Sequence, residues 1–151
     1  MIAVVQRVSS AKVTVGSEVV GKIDQGLMIL MSVHFDDAET DASWMAQKLA
    51  TLRLFPGEGK NYHLDVKESG GAILLVSNFT VAAFTRQGRR PSFDPAAKGE
   101  LGEKLFDTTV QRIRAMGLTV ETGRFGADMV VSIENDGPAT FIVDSREARQ
   151  G

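Results

Sequence analysis

The stretch that most constrains this chain lies near its C-terminus, where residues 135–144 read NDGPATFIVD. Met129 to Glu134 before the polar link, and Thr140 to Val143 after it, carry the apolar and β-branched residues of strands. Two strands joined by so short a link predict a hairpin, and Asp136-Gly137 alone supplies the positive φ that a tight turn demands. Pro138 is surplus to such a turn. It removes a backbone donor where a returning strand should begin, and it opens the possibility of a cis peptide bond. A residue of that kind either ends a strand or has a role of its own.

The rest of the chain is also rich in strand signals. Alternating apolar residues predict a first strand at Ile2 to Val8, followed by a hairpin of Lys12 to Val15 and Val19 to Ile23 turning at Gly16-Ser17. Leu27 to Val33 and Ala72 to Ser77 are continuously apolar, as buried strands are. Asp36 and Asp37 read as N-caps of a helix whose Ala42, Met45, Leu49 and Leu52 repeat at helical spacing. Pro56 to Gly71 reads as a loop. A second helix is expected from about Ala97 to Met116, with Leu101, Leu105, Val110 and Ile113 inward and Gly117 as its stop. Leu118 to Glu121 adds a further strand. The helices are separated by strand pairs and do not alternate strictly with single strands. This predicts an α+β fold: a mixed, largely antiparallel sheet or barrel-like core flanked by two main helices.

At 151 residues a single domain spanning 1–151 is expected, with 43% hydrophobic and 24% charged residues as in an ordinary soluble globule. No apolar run approaches the roughly 18–20 residues of a membrane span. The start of the chain reads as a strand and not as a signal peptide, so a cytoplasmic protein is expected. There are no cysteines, which removes disulfides, thiol catalysis and Cys-based zinc sites. The formal charge of −2 gives no global field for nucleic acid, so any such binding must come from a local patch.

Catalytic parts are scarce. His34 and His63 are the only histidines; neither stands in a metal-ligand or nucleophile-base pattern, and both read as surface or loop residues. No metal site, cofactor motif, phosphate loop or nucleophile elbow emerges. Two stretches stand out. Ser77-Asn78-Phe79-Thr80 ends a buried strand with small polar residues around one aromatic, where backbone N–H groups are candidates for oxyanion binding. Read alone, it is more simply a strand leaving the core. Arg86, Arg89 and Arg90 stand in a loop opened by Gly88 and Pro91, which suits phosphate binding or a merely solvated charge run.

Taken together, these runs resemble the D-aminoacyl-tRNA deacylases, also called D-tyrosyl-tRNA deacylases. The resemblance extends from Val5-Gln6-Arg7-Val8 to Asp144-Ser145. The family's signatures, Ser-Gln-Phe-Thr and Asn-x-Gly-Pro-x-Thr, stand here as Ser77-Asn78-Phe79-Thr80 and Asn135-Asp136-Gly137-Pro138-Ala139-Thr140. Between them lie the familiar runs Arg86 to Phe93 and Glu121 to Met129. Asn78 replaces the usual Gln, Ala139 stands where Val is common, and the Asn61 to Asp65 region carries an extra residue. These departures bear on fine substrate preference.

The resemblance implies hydrolysis of the ester of D-aminoacyl-tRNA, and of mischarged glycyl-tRNA, by a cytoplasmic homodimer needing no cofactor or membrane. Ser77, Asn78, Phe79 and Thr80 of one subunit would line the catalytic pocket. The Gly137-Pro138 turn of the other subunit, cis in the family and held in place by Arg7, would reach into it and reject L-amino acids. Arg86, Arg89 and Arg90 would bind tRNA. The family is thought to enlist the 2′-hydroxyl of the terminal adenosine, which makes Thr80 an orienting residue more than a nucleophile. Two other readings stay open: a specialised deacylase of a mischarged L-aminoacyl-tRNA, and a non-catalytic nucleic-acid-binding module.

Overall fold

The computed structural model describes residues 1–150. Its organising element is β1 (Ile2–Val15), which joins the expected first strand and the first arm of the hairpin into one 14-residue strand. Along one edge β1 pairs antiparallel with two strands in succession. Ile2 to Val8 face β3 (Gly26–Ser32), and Ala11 to Val15 face β2 (Glu18–Ile23). Beyond β3 the pairing turns parallel, to β6 (Ala72–Ser77) and then to β7 (Val120–Thr122). The resulting order is β2-β1-β3-β6-β7, with β8 (Val130–Asp144) on the opposite edge of β1.

The sheet curls until its ends approach each other. Gly21 of β2 lies so close to the Thr122 carbonyl of β7 that any Cβ there would collide with it. The seam thus requires glycine. The outcome is the barrel-like, mixed and largely antiparallel core that the element order predicted, flanked by α1 (Glu39–Thr51) and α2 (Glu100–Ala115). Val8, Val13, Met28, Leu74 and Val76 fill the inside of the curl. Leu27, Ile29, Met31, Ile73 and Leu75 point the other way, against Met45 and Leu49 of α1 and Leu105, Val110 and Ile113 of α2. Both faces of β3 and β6 are therefore buried, which explains their unbroken apolar sequences.

Several expectations require correction. NDGPAT does not turn a hairpin: Val130–Asp144 is one strand, and both of its halves pair antiparallel with β1. Between the pairs Gln6–Thr140 and Val8–Asn135, the four residues Asp136–Ala139 are opposed by Arg7 alone. The link is a large bulge in a continuous strand, a place where proline costs no ladder bond. Second, Asp36 and Asp37 do not cap α1. The N-cap is Ala38, whose N–H donates to Asp41 Oδ2 at 2.9 Å. Third, Leu101 lies 37% exposed at the first turn of α2, which begins at Glu100 and not near Ala97. The segment expected as a loop also contains a small hairpin, β4 (Phe55–Gly57) with β5 (Lys60–Leu64).

Asp37 is diverted to a buried polar cluster. The Met1 ammonium donates to Asp37 at 2.8 Å and to Ser145 Oγ at 2.6 Å. Ser145 Oγ in turn donates to Asp41, and Arg149 donates to both Asp37 and Asp41. A buried charge persists only when paired and hydrogen-bonded. Here that requirement binds the start of β1 to the entry of α1 and to the 3-10 turn Ser145–Gln150. Burial alone would raise the Asp41 pKa, but the hydrogen bonds from Arg149, Ala38 and Ser145 hold it below its ordinary value. Among the described residues no helix is long and apolar enough to cross a membrane.

Candidate functional site

Ser77 is the last residue of β6, and the chain then tightens into a 3-10 turn, Phe79–Ala82. Asn78 caps that turn: its Oδ1 accepts from the Thr80 N–H at 3.2 Å and also from the Thr80 hydroxyl. The Asn78 N–H donates to the Met31 carbonyl at 2.9 Å, and that of Val81 to the Asn78 carbonyl at 3.3 Å. Of the amides of Asn78 to Val81, that of Phe79 alone has no acceptor among the described residues. The several free donors suggested by the sequence reduce to this one. The Thr80 hydroxyl faces an amide oxygen, which takes up no proton at neutral pH, so nothing there activates it as a nucleophile.

A 480 Å³ cavity opens on this turn, lined by Ser77 to Thr80, by Leu30, Val76 and Val131 of the sheet, and by Phe125 to Met129. The Phe79 ring is 55% exposed and meets Phe93 edge-on at 5.1 Å. Phe125 is positioned from α2, its ring 6.0 Å from that of Phe106. Phe125 to Met129 were legible in the sequence only as a run shared with the resembled family. Their small and flexible composition carries no signal of a cavity wall.

Gly137 and Pro138 do not line this cavity. They stand exposed at the crest of the β8 bulge, joined by a cis peptide bond, with Gly137 at φ 141°. The base of the bulge is held on both sides. Asn135 Nδ2 donates to the carbonyls of Arg7 and Ala139, each at 3.0 Å. Arg7 Nε donates to the Asp136 carbonyl at 3.2 Å, and Arg7 Nη1 to the Leu54 carbonyl at 2.9 Å. The guanidinium also lies over the Tyr62 ring at 5.9 Å, so the β4–β5 hairpin braces Arg7 from behind.

Arg86, Arg89 and Arg90 are exposed, and among the described residues none of them pairs with a carboxylate. Their loop is pinned at its base by reciprocal backbone hydrogen bonds between Phe84 and Ser92, at 2.8 and 2.9 Å. His63 faces Glu58 at 3.3 Å. His34, by contrast, is not a surface residue. It is 4% exposed, because Pro95 to Ala97 pack alongside its backbone. Among the described residues no cluster of three or more His, Cys, Asp or Glu side chains is placed to hold a metal ion.

The family model for D-Tyr-tRNA(Tyr) deacylase matches residues 4–144 of the chain. The chain belongs to the D-Tyr-tRNA(Tyr) deacylase family. Within this deacylase family it is 50% identical to a D-aminoacyl-tRNA deacylase of Symbiobacterium thermophilum, over 96% of each chain. It is 48% identical to that of Geobacter metallireducens over the full length of both. Among solved structures, a c-Myc DNA unwinding element binding protein is 35% identical with a TM-score of 0.89, covering 95% of this chain and 98% of that one. A probable eukaryotic D-amino acid tRNA deacylase, 16% identical over 94% of this chain and 98% of its own, shares the deacylase fold with a TM-score of 0.78.

Proposed function

We propose that this protein hydrolyses the ester of D-aminoacyl-tRNA, and of mischarged glycyl-tRNA, in the cytoplasm, and that it spares L-aminoacyl-tRNA by steric exclusion. Family membership and the names of its close relatives support the reaction class. An aminoacyl ester is already activated, so positioning and a few well-placed donors supply much of the needed barrier lowering. The free Phe79 amide is the candidate oxyanion donor in the cavity. With Thr80 unactivated, the attacking oxygen comes from water or from the substrate's own 2′-hydroxyl.

The observation that carries the stereochemical part is a separation: the chain's own Gly137-Pro138 crest lies outside the cavity lined by Ser77 to Thr80. A crest held rigid by Asn135 and Arg7, yet remote from its own cavity, is suited to the cavity of a second copy. The outer edge of β8 supports such an assembly. That edge pairs with no other strand among the described residues, and the exposed Val130 (67%) and Ile142 (74%) lie along it. Backbone at the crest would leave room for a D side chain and clash with an L side chain, while glycine, having none, would not be excluded. Arg86, Arg89 and Arg90 would contact tRNA phosphates.

The deciding experiment compares deacylation of D- and L-tyrosyl-tRNA, with L-alanyl-tRNA added to detect a specialised enzyme. Selective loss of the D ester supports the reading; equal or L-selective cleavage overturns it. Mixing subunits altered at Phe79 with subunits altered at Gly137 should restore activity in heterodimers, because one intact cavity then meets one intact crest. A second reading, a non-catalytic nucleic-acid-binding module, is favoured by the unpaired arginines and by the name of the 35%-identical solved structure. Tight binding of uncharged nucleic acid without any ester cleavage would establish it.

A further inference from the structure

A second cavity of 280 Å³ lies along the continuation of the catalytic turn, lined by Val81 to Phe84, Ile2, Pro95, His34, Arg86 and Arg146. The two cavities share one short segment: Thr80 lines the first and Val81 the second. His34 is the unusual member. Its Nδ1 is buried and has no hydrogen-bond partner among the described residues, although buried polar atoms normally have one. Burial, followed by the nearby Arg146 charge, lowers the His34 pKa, which favours the neutral ring. A neutral imidazole presents either a donor or an acceptor at Nδ1, depending on tautomer.

The other groups narrow the ligand class. Arg146 is engaged by Asp144 at 2.7 Å, so among the described residues Arg86 is the one unpaired cation at this cavity. The Phe84 side chain is 41% exposed at the base of the arginine loop, and the remaining walls are aliphatic. A bare anion would find one free charge and mostly apolar walls. A ring face, a neutral hydrogen-bonding group and one free cation together match a single nucleotide, with a flat base and one phosphate.

We propose that this cavity receives one unpaired nucleotide of the RNA, adjacent to the residue whose ester occupies the first cavity. Its base stacks on Phe84 against the His34 ring, and its phosphate meets Arg86. This assignment rests on the aminoacyl-tRNA reading above.

The test titrates the full chain with the ribotrinucleotide CCA, with adenosine monophosphate and with inorganic phosphate, following the His34 ring resonances by NMR. The trinucleotide should shift them, adenosine monophosphate should shift them only at higher concentration, and inorganic phosphate should not. Phe84→Leu and Arg86→Gln should each weaken trinucleotide binding about fivefold or more, and Phe84→Tyr should restore it. Thermal melts establish that the variants fold. Unmoved His34 signals at saturating trinucleotide overturn the proposal, as does Phe84→Leu binding like wild type. An equal response to inorganic phosphate overturns it too, by reducing the cavity to an anion site. Deacylation of D-tyrosyl-tRNA by the wild type separates the two levels: cleavage with a silent His34 sinks only the subsite, whereas a responsive His34 without cleavage sinks only the esterase reading.

Discussion

A single amide nitrogen of Asn135 bridges the mouth of the β8 bulge, donating to the carbonyl of Arg7 on β1 and to that of Ala139 on the far side. Asn135→Asp keeps the shape and replaces the donor with an acceptor facing two carbonyls. We expect a loss of about 2 kcal/mol or more in urea unfolding, from two lost bonds and a new repulsion. The ratio of D- to L-tyrosyl-tRNA cleavage should fall with it, because the crest is no longer fixed. An unchanged ratio in a destabilised variant would show that the bulge's anchoring has no part in selectivity.

Gly137→Ala tests the crest itself. At φ 141° an L side chain is strained, and a Cβ would lie 2.6 Å from the Ala139 nitrogen and 3.2 Å from Arg7 Nη2. The expected cost is roughly 1–3 kcal/mol of stability. Cleavage of D-tyrosyl-tRNA should slow more than tenfold even where the variant remains folded. Stopped deacylation assays at 25 °C or below, paired with thermal melts, distinguish the two effects.

Thr80→Ala removes a hydroxyl whose partner, the Asn78 amide oxygen, is no base. Turnover should persist, reduced by about tenfold or less, since the proposed nucleophile is water or the substrate's 2′-hydroxyl. Mass spectrometry of the wild type during turnover should reveal no acyl adduct on Thr80. A trapped ester there would reverse the assignment.

The buried cluster at Met1 makes a prediction about stability alone. Asp37→Ala leaves the Met1 ammonium buried without its carboxylate and should cost about 3–5 kcal/mol in urea unfolding. Acid should act on the same cluster. Asp41 and Asp144 are both held below their ordinary value of 3.8, burial raising each and hydrogen bonds from Arg149 and Arg146 more than offsetting it. Because these pKa values are depressed in the folded state, their stabilisation is complete well above 3.8 and is lost as pH falls through the folded values. Melting temperature should therefore decline below about pH 4.5, and less steeply in Arg149→Ala, where Asp41 is less depressed.

Replacing Arg86, Arg89 and Arg90 with Ala should weaken tRNA binding and flatten its dependence on salt, since each lost phosphate contact removes the release of about one counterion. The D-to-L ratio should stay within about twofold. Unchanged affinity and slope would make the arginines an ordinary solvated loop.

Ala72–Ser77 was legible in the sequence to the residue, because burial on both faces leaves an unbroken apolar run with polar ends. The bulge was not. Asp136-Gly137-Pro138 announces an interruption of extended chain, but a hairpin and a bulge interrupt it alike. The difference is whether both flanks pair with β1, and that information lies some 130 residues away at Gln6 and Val8. Asp37 misled for a related reason: a carboxylate just before a helix has the local signature of a cap, while its true partner is the amine of Met1. The turn Ser77 to Thr80 could be read through its motif, whereas Phe125 to Met129, the link from β7 to β8, joins the cavity's wall only in the folded sheet. His34 lacked a signal altogether, since its burial comes from Pro95 to Ala97.

One strand, β1, is hydrogen-bonded on one side to β3, which carries the cavity through β6, and on the other to β8, which carries the crest. In the proposed dimer, the distance and angle between the cavity a subunit presents and the crest it delivers would therefore be measured off a common ruler. In a two-fold pair, two such rulers must agree for both cavities to close. Residues within Ser77 to Thr80 are free to vary the chemistry without disturbing that spacing, as Asn78 in place of the usual Gln illustrates. A one-residue insertion in β1 near Arg7 has no such freedom: it would misplace both crests at once while leaving each cavity intact.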